Sequence, residues 1–146
     1  MTAVNTEFAE RLGEIMNEKN FTAEDIAKIA DVDLSHVYRY LRGEALPSGE
    51  AAAVLADAFA CSLDYLFGLS DDYGSSLGKC RPFGECFRKL LSERGITRYR
   101  FIKDNRFAKQ SVEDWYKGRY VPSVRNLADI AAYFDCSLDA LFGREN

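Results

Sequence analysis

Apolar residues recur at intervals of three and four along two well-separated stretches of this chain, Phe8, Leu12, Ile15 and Met16 in the first and Phe83, Phe87, Leu90 and Leu91 in the second. That spacing predicts a helix over about 6–19 and a matching one near 83–94, each with one face turned to a core. Asn20 and Gly95 follow these stripes and tolerate the left-handed conformation that ends a helix, after which Thr22 and Thr97 stand where a cap would open the next. Short helices are expected over 22–30 and 97–105, then over about 33–42 and 108–117, with Gly43 and Gly118 as terminators. Pro47-Ser48 and Pro122-Ser123 open a fourth helix, and Ser62 and Ser137 a last one running into Leu-Phe-Gly. The expectation is an all-α chain with five short helices in each half.

The two halves are copies. Residues 8–68 align without a gap to residues 83–143, and about 19 of the 61 positions are identical, among them the CSLD and LFG segments near each end. A repeat of this length is a domain duplication rather than a solenoid period. The reading is a first domain over 1–69, a linker over 70–80, which is polar and rich in glycine and serine, and a second domain over 81–146. At 47% hydrophobic content, helical domains of this size bury enough surface to fold.

Composition removes several classes of function. No run of 18 apolar residues exists and the first residues lack the layout of a signal peptide, so no membrane partner and a cytoplasmic location are expected. Cys61 and Cys136 hold equivalent positions expected to be core, while Cys80 and Cys86 have no zinc-knuckle spacing and the one histidine, His36, lies in the other copy. No metal and no cofactor are expected. Asp64 and Asp139 read as helix-start carboxylates, and no nucleophile, base and oxyanion set is present, so no enzyme is expected.

Thr22, Ala27, Val32, Ser35, Val37, Tyr40, Gly43 and Pro47-Ser48, with the Ser62-Leu63-Asp64 and Leu66-Phe67-Gly68 tail, carry a resemblance that Thr97, Phe107, Val112, Trp115, Gly118, Pro122-Ser123 and the second tail repeat. Both copies resemble the lambda-repressor-like, Cro/Xre type of helix-turn-helix domain, over about 125 of the 146 residues. The chain departs from that pattern at Ala23 and Arg98, where Gln is usual, at Ile102, where Ala is usual, and at Asp31 and Arg106, where the turn usually has Gly. Ile102 implies a slightly wider helix packing in the second copy, and Asn105 is expected to supply the turn's left-handed residue there. Tyr40 and Trp115 fall at the bulky inward position of the third helix.

The resemblance implies binding to double-stranded DNA, with the third helix of a copy in the major groove and its first residues at base edges. Charge then separates the copies. Residues 1–70 hold 5 Lys and Arg against 12 Asp and Glu, while residues 71–146 hold 14 against 11. Phosphate neutralisation needs local cations, and the second copy has them in Arg98, Arg100, Lys103, Arg106, Lys117 and Arg119, with Tyr120 as a further donor. Lys109, Gln110 and Ser111 are its candidate base readers, Gln toward adenine and Lys toward guanine. Glu113 and Asp114, one turn on, face either the groove or solvent. In the first copy Ser35, His36 and Arg39 are candidate readers and Arg42 a phosphate candidate, among Ala23, Asp25, Lys28, Asp31, Leu34 and Glu44.

Three readings follow. In the first, the tandem copies form a covalent pseudo-dimer on DNA, a transcriptional regulator acting as a repressor, with recognition helices roughly 34 Å apart. In the second, only the second copy grips DNA, and the acidic first copy forms a homodimer or takes a protein partner. In the third, the chain is a non-DNA interaction module with a DNA-like acidic face, against which the cations of the second copy argue.

Overall fold

A computed structural model describes residues 3–74 and 76–144. The chain divides into two compact units, Met1–Lys79 and Cys80–Asn146. Every regular element among the described residues is an α-helix.

The first unit contains α1 (Ala3–Lys19), α2 (Ala23–Ala30), α3 (Leu34–Leu41), α4 (Gly49–Phe59) and α5 (Leu63–Leu66). The stripe read from sequence is the inner face of α1, where Phe8, Leu12 and Ile15 are fully enclosed and the ring of Phe8 stacks 5.0 Å from Phe67. Helix α2 begins in a capping box. The Thr22 hydroxyl accepts from the Asp25 backbone N–H while the Asp25 carboxylate accepts from the Thr22 N–H, so two of the helix's orphan donors are satisfied at once. Helix α4 is alanine-rich, which lets it pass close to its neighbours while burying Leu55 and Phe59. Ser48 and Ser62 cap α4 and α5 as expected.

The chain beyond Gly68 stays on this unit. Tyr73 O accepts from the Ser62 backbone N–H at 2.6 Å, the Tyr73 hydroxyl donates to Phe59 O at 2.9 Å, and Arg11 lies over Tyr65 while donating to Asp71. The first part of the segment with linker-like composition is therefore held on the unit through Tyr73, by a backbone hydrogen bond and by its side-chain hydroxyl.

The second unit repeats the order with α6 (Phe83–Arg94), α7 (Arg98–Asn105), α8 (Lys109–Tyr116), α9 (Val124–Phe134) and α10 (Leu138–Leu141). Its core is more aromatic. Phe101, with no exposed surface, meets Phe87 at 5.0 Å, Tyr133 at 5.3 Å, Phe107 at 5.7 Å and Phe134 at 5.8 Å. Trp115 is buried against Phe107 and Tyr40 is buried in the first unit, the inward places expected for both. Cys61 is fully buried, whereas Cys136 is only half-buried. Asp139, beyond its place in the first turn of α10, forms an enclosed ion pair with Arg144 at 2.9 Å.

The turn between α7 and α8 differs from expectation. Arg106 takes the left-handed conformation (φ 59°), and Asn105 remains the last residue of α7. Its side chain instead donates back to Phe101 O at 3.0 Å, a bond that helical geometry offers and a left-handed Asn105 would lose. Asp31 holds the same place after α2 (φ 55°), so the copies agree on position where composition suggested otherwise. Ile102 is half-buried, as is Ala27 at the equivalent place in the first copy.

Candidate nucleic-acid interface

In the second unit three segments come together around α8: the first turn of α7, the first turn of α8, and the loop after Gly118. Thr97 caps α7 through its hydroxyl, which accepts from the Arg100 N–H. With no acid in that first turn, Arg98 and Arg100 add two cations to the positive end of the helix dipole. Gly118, at φ 76°, ends the helix–loop junction in a conformation few side chains adopt and turns the chain so that Arg119 and Tyr120 are exposed, Tyr120 by 68%.

Lys109 and Gln110 are exposed at the start of α8, and Ser111 is half-buried beside them. Lys103, Arg106, Lys109 and Lys117 are exposed and form no ion pair among the described residues. Three other cations are partnered within the unit. Arg98 Nη1 lies 2.8 Å from Glu113 Oε2 with its guanidinium 4.2 Å over the Tyr116 ring, Arg100 pairs with Asp104 at 3.0 Å, and Arg119 Nη1 donates to Asp114 Oδ1 at 3.2 Å. The same Asp114 oxygen accepts from Gln110 Nε2 at 3.0 Å. Glu113 and Asp114 are half-buried, and each ties the middle of α8 to an arginine on one flank.

Sequence reasoning missed these ties. Gln110 and Asp114 are spaced i, i+4 on a helix and were legible as a pair. The Arg98–Glu113 bond joins two helices and has no local signal. Tyr99, 74% exposed in the first turn of α7, is a second bare aromatic near the same segments. Asp104 is held below the usual carboxylate range by the Tyr133 hydroxyl, which donates to it at 2.7 Å, and then by Arg100.

The first unit places the corresponding residues differently. Ser35, His36 and Arg39 are exposed on α3, with Tyr38 beside them 44% exposed. Arg42 is joined to Glu44 by two hydrogen bonds of 3.0 Å, which cancel its charge locally. The first turn of α2 carries Glu24 and Asp25 where α7 carries Tyr99 and Arg100. Asp25 is kept below the usual carboxylate range by the Thr22 N–H and hydroxyl.

Residues 12–66 match the helix-turn-helix family model, and residues 87–146 match the model of the Cro/C1-type HTH DNA-binding domain. The chain belongs to the Cro/C1 helix-turn-helix family, with two domains in tandem. Comparison with curated proteins and with solved structures returns no match. The family assignment supports a DNA-binding regulator. No helix among the described residues is long and apolar enough to cross a membrane.

Proposed function

We propose that this protein is a sequence-specific transcriptional regulator, acting as a repressor, whose second domain grips double-stranded DNA. The observation that carries this reading is the arrangement around α8. Lys109 and Gln110 open the helix, Arg98 stands at the start of α7, and Lys117, Arg119 and Tyr120 follow its end. Phosphate strands bordering a major groove are met by such flanking donors, and base edges by the first side chains of the inserted helix. Lys103, Arg106 and Arg100 extend the positive surface along α7.

A second role for the first domain is favoured by its charge. Residues 1–79 hold 6 Lys and Arg against 14 Asp and Glu, and residues 80–146 hold 13 against 9. With Arg42 neutralised by Glu44 and an ionised Asp25 at the α2 start, this domain lacks the flanking cations of its twin. We infer that it serves as a homodimerisation or protein-interaction module, with Ser35, His36, Tyr38 and Arg39 as its exposed helix face.

The test is charge reversal in the full chain, read by fluorescence anisotropy on a generic duplex at low and physiological salt. Lys109→Glu and Lys117→Glu are expected to abolish most binding, and Arg42→Glu, outside that face, to leave it unchanged. Equal losses from Arg42→Glu would mean that both domains bind DNA, as a covalent pseudo-dimer.

A further inference from the structure

We propose that Asp114 is a specificity-determining positioning residue: by accepting from Gln110 Nε2 it fixes which way the Gln110 amide faces, and so which base edge that amide reads. The inference rests on the proposed DNA-binding role of α8.

A carboxylate only accepts hydrogen bonds, so the atom of the Gln110 amide that approaches Asp114 Oδ1 at 3.0 Å has to be the NH2 nitrogen. The carbonyl oxygen, Oε1, is then directed away, and one hydrogen of Nε2 remains free beside it. An amide locked in that sense presents an acceptor next to a donor. Adenine offers the complementary pattern on its major-groove edge, an N6 amino donor beside the N7 acceptor, and cytosine offers a donor at N4. Guanine presents two acceptors, and thymine an acceptor and a methyl group. An unlocked glutamine, free to turn its NH2 outward, serves guanine or thymine almost as well.

Asp114 is itself held. Its Oδ1 also accepts from Arg119 Nη1 at 3.2 Å, and its backbone carbonyl accepts from the Arg119 N–H at 2.9 Å, so both the carboxylate and the loop after Gly118 are tied to one residue of α8. The Asp114 side chain is only 16% exposed, whereas Gln110 is exposed toward solvent. In the first domain the equivalent positions are Ser35, Arg39 and Glu44, which cannot form this arrangement: Arg39 is a donor, and Glu44 is engaged by Arg42. The lock belongs to the second domain alone among the described residues.

The experiment begins with selection of preferred duplexes from a randomised pool by the full-length protein, followed by affinity measurements with each of the four bases at the position sensitive to Gln110→Ala. The wild type is expected to prefer adenine there. Asp114→Ala, which removes the acceptor and leaves Gln110 free to turn its NH2 outward, is expected to reduce discrimination of adenine over guanine and thymine by at least about fivefold, the lower bound for one good bidentate contact. Preferences elsewhere in the site should persist. Asp114→Glu, which restores an acceptor, should recover part of the discrimination, and Arg119→Ala should weaken binding to all sequences while keeping the adenine preference. Circular dichroism of each variant confirms that α8 remains folded. Unchanged preference in Asp114→Ala, on a wild type that binds selectively, overturns the role of Asp114 while leaving the DNA-binding reading intact. Absence of any duplex binding by the wild type overturns that reading and this inference with it.

Discussion

Arg98 Nη1 sits 2.8 Å from Glu113 Oε2, joining the first residue of α7 to the middle of α8. The guanidinium lies between that carboxylate and the Tyr116 ring, so a cation at the proposed phosphate-binding end of α7 is half engaged before any nucleic acid arrives. Removing the acid changes two things at once: it frees Arg98 and deletes a negative charge beside the groove. Glu113→Gln is expected to tighten binding to random duplexes and to steepen the dependence of log affinity on log salt by up to about 0.9, the increment for one additional phosphate contact. A salt titration by anisotropy checks it. An unchanged slope would mean that Arg98 remains on Tyr116 and stays outside the interface.

Lys117 and Arg119 flank Gly118 but differ in their surroundings, and that difference separates affinity from stability. Lys117 forms no ion pair among the described residues, whereas Arg119 holds Asp114. Lys117→Ala should flatten the salt slope by about 0.9 and leave the melting temperature within a degree or so, since an exposed unpaired cation contributes little to folding. Arg119→Glu should weaken binding to every sequence as well, and in addition lower the melting temperature by placing two carboxylates together. Differential scanning calorimetry beside the binding titration distinguishes the two variants.

The Phe101 ring tests how far the second domain depends on its aromatic cluster. Truncation to Ala removes four ring contacts from a fully buried site, a change that costs about 3–5 kcal/mol. Small domains have stabilities of about the same size, so Phe101→Ala should lose the cooperative unfolding transition of this domain at 25 °C, monitored by Trp115 fluorescence. A retained sharp transition would mean that Phe107 and Tyr133 close over the space.

Acid should act on the α7 surface through Asp104. Its carboxyl is depressed by the Tyr133 hydroxyl and by Arg100, so its contribution to stability is present above the ordinary carboxylate range and is lost as pH falls through the lowered native value. In Tyr133→Phe the first of those bonds is absent, and the Asp104 titration should move up toward its usual value. Carboxyl-carbon NMR across pH 2 to 6 reads the midpoint directly; an identical midpoint in the variant would assign the depression to the neighbouring cations Arg100 and Lys103.

Much of this architecture was legible in the chain because it rests on local signals. The i, i+3, i+4 stripes, the Thr and Ser caps and the glycines after α3 and α8 act within a few residues, and they recur at the same register in both copies. What was hidden depends on chain segments meeting in space. The engagement of Tyr73 with Phe59 and Ser62 is of this kind, as is Arg98 reaching Glu113 across two helices. The left-handed Arg106 shows a local limit too: intrinsic preference favoured Asn105, but Asn105 stays helical with its side chain bonded to Phe101 O, and the turn falls one residue later. Counting cations likewise overstated the free charge, because Arg98, Arg100 and Arg119 each have a carboxylate partner.

Gly84 illustrates a contact that no local pattern announces. A methyl group placed on it would lie 3.0 Å from Gly118 Cα, 3.2 Å from Gly118 N and 3.2 Å from Trp115 O, all backbone atoms at the end of α8. Such atoms cannot rotate away as a flexible side chain would, so α6 and the α8 terminus would have to separate. The first domain has Ala9 at the equivalent place, so the tolerance differs between the two copies. Gly84→Ala has two opposing effects: the helix gains up to about 1 kcal/mol from better propensity, and overpacking against the backbone costs about 1–3 kcal/mol. The close approach involves three atoms on a rigid turn, so the cost should prevail and the second domain should melt at a lower temperature. It should also bind DNA more weakly, because the displaced segment carries Lys117 and Arg119. A variant with raised thermal stability and unchanged affinity would show that α6 moves without disturbing that loop.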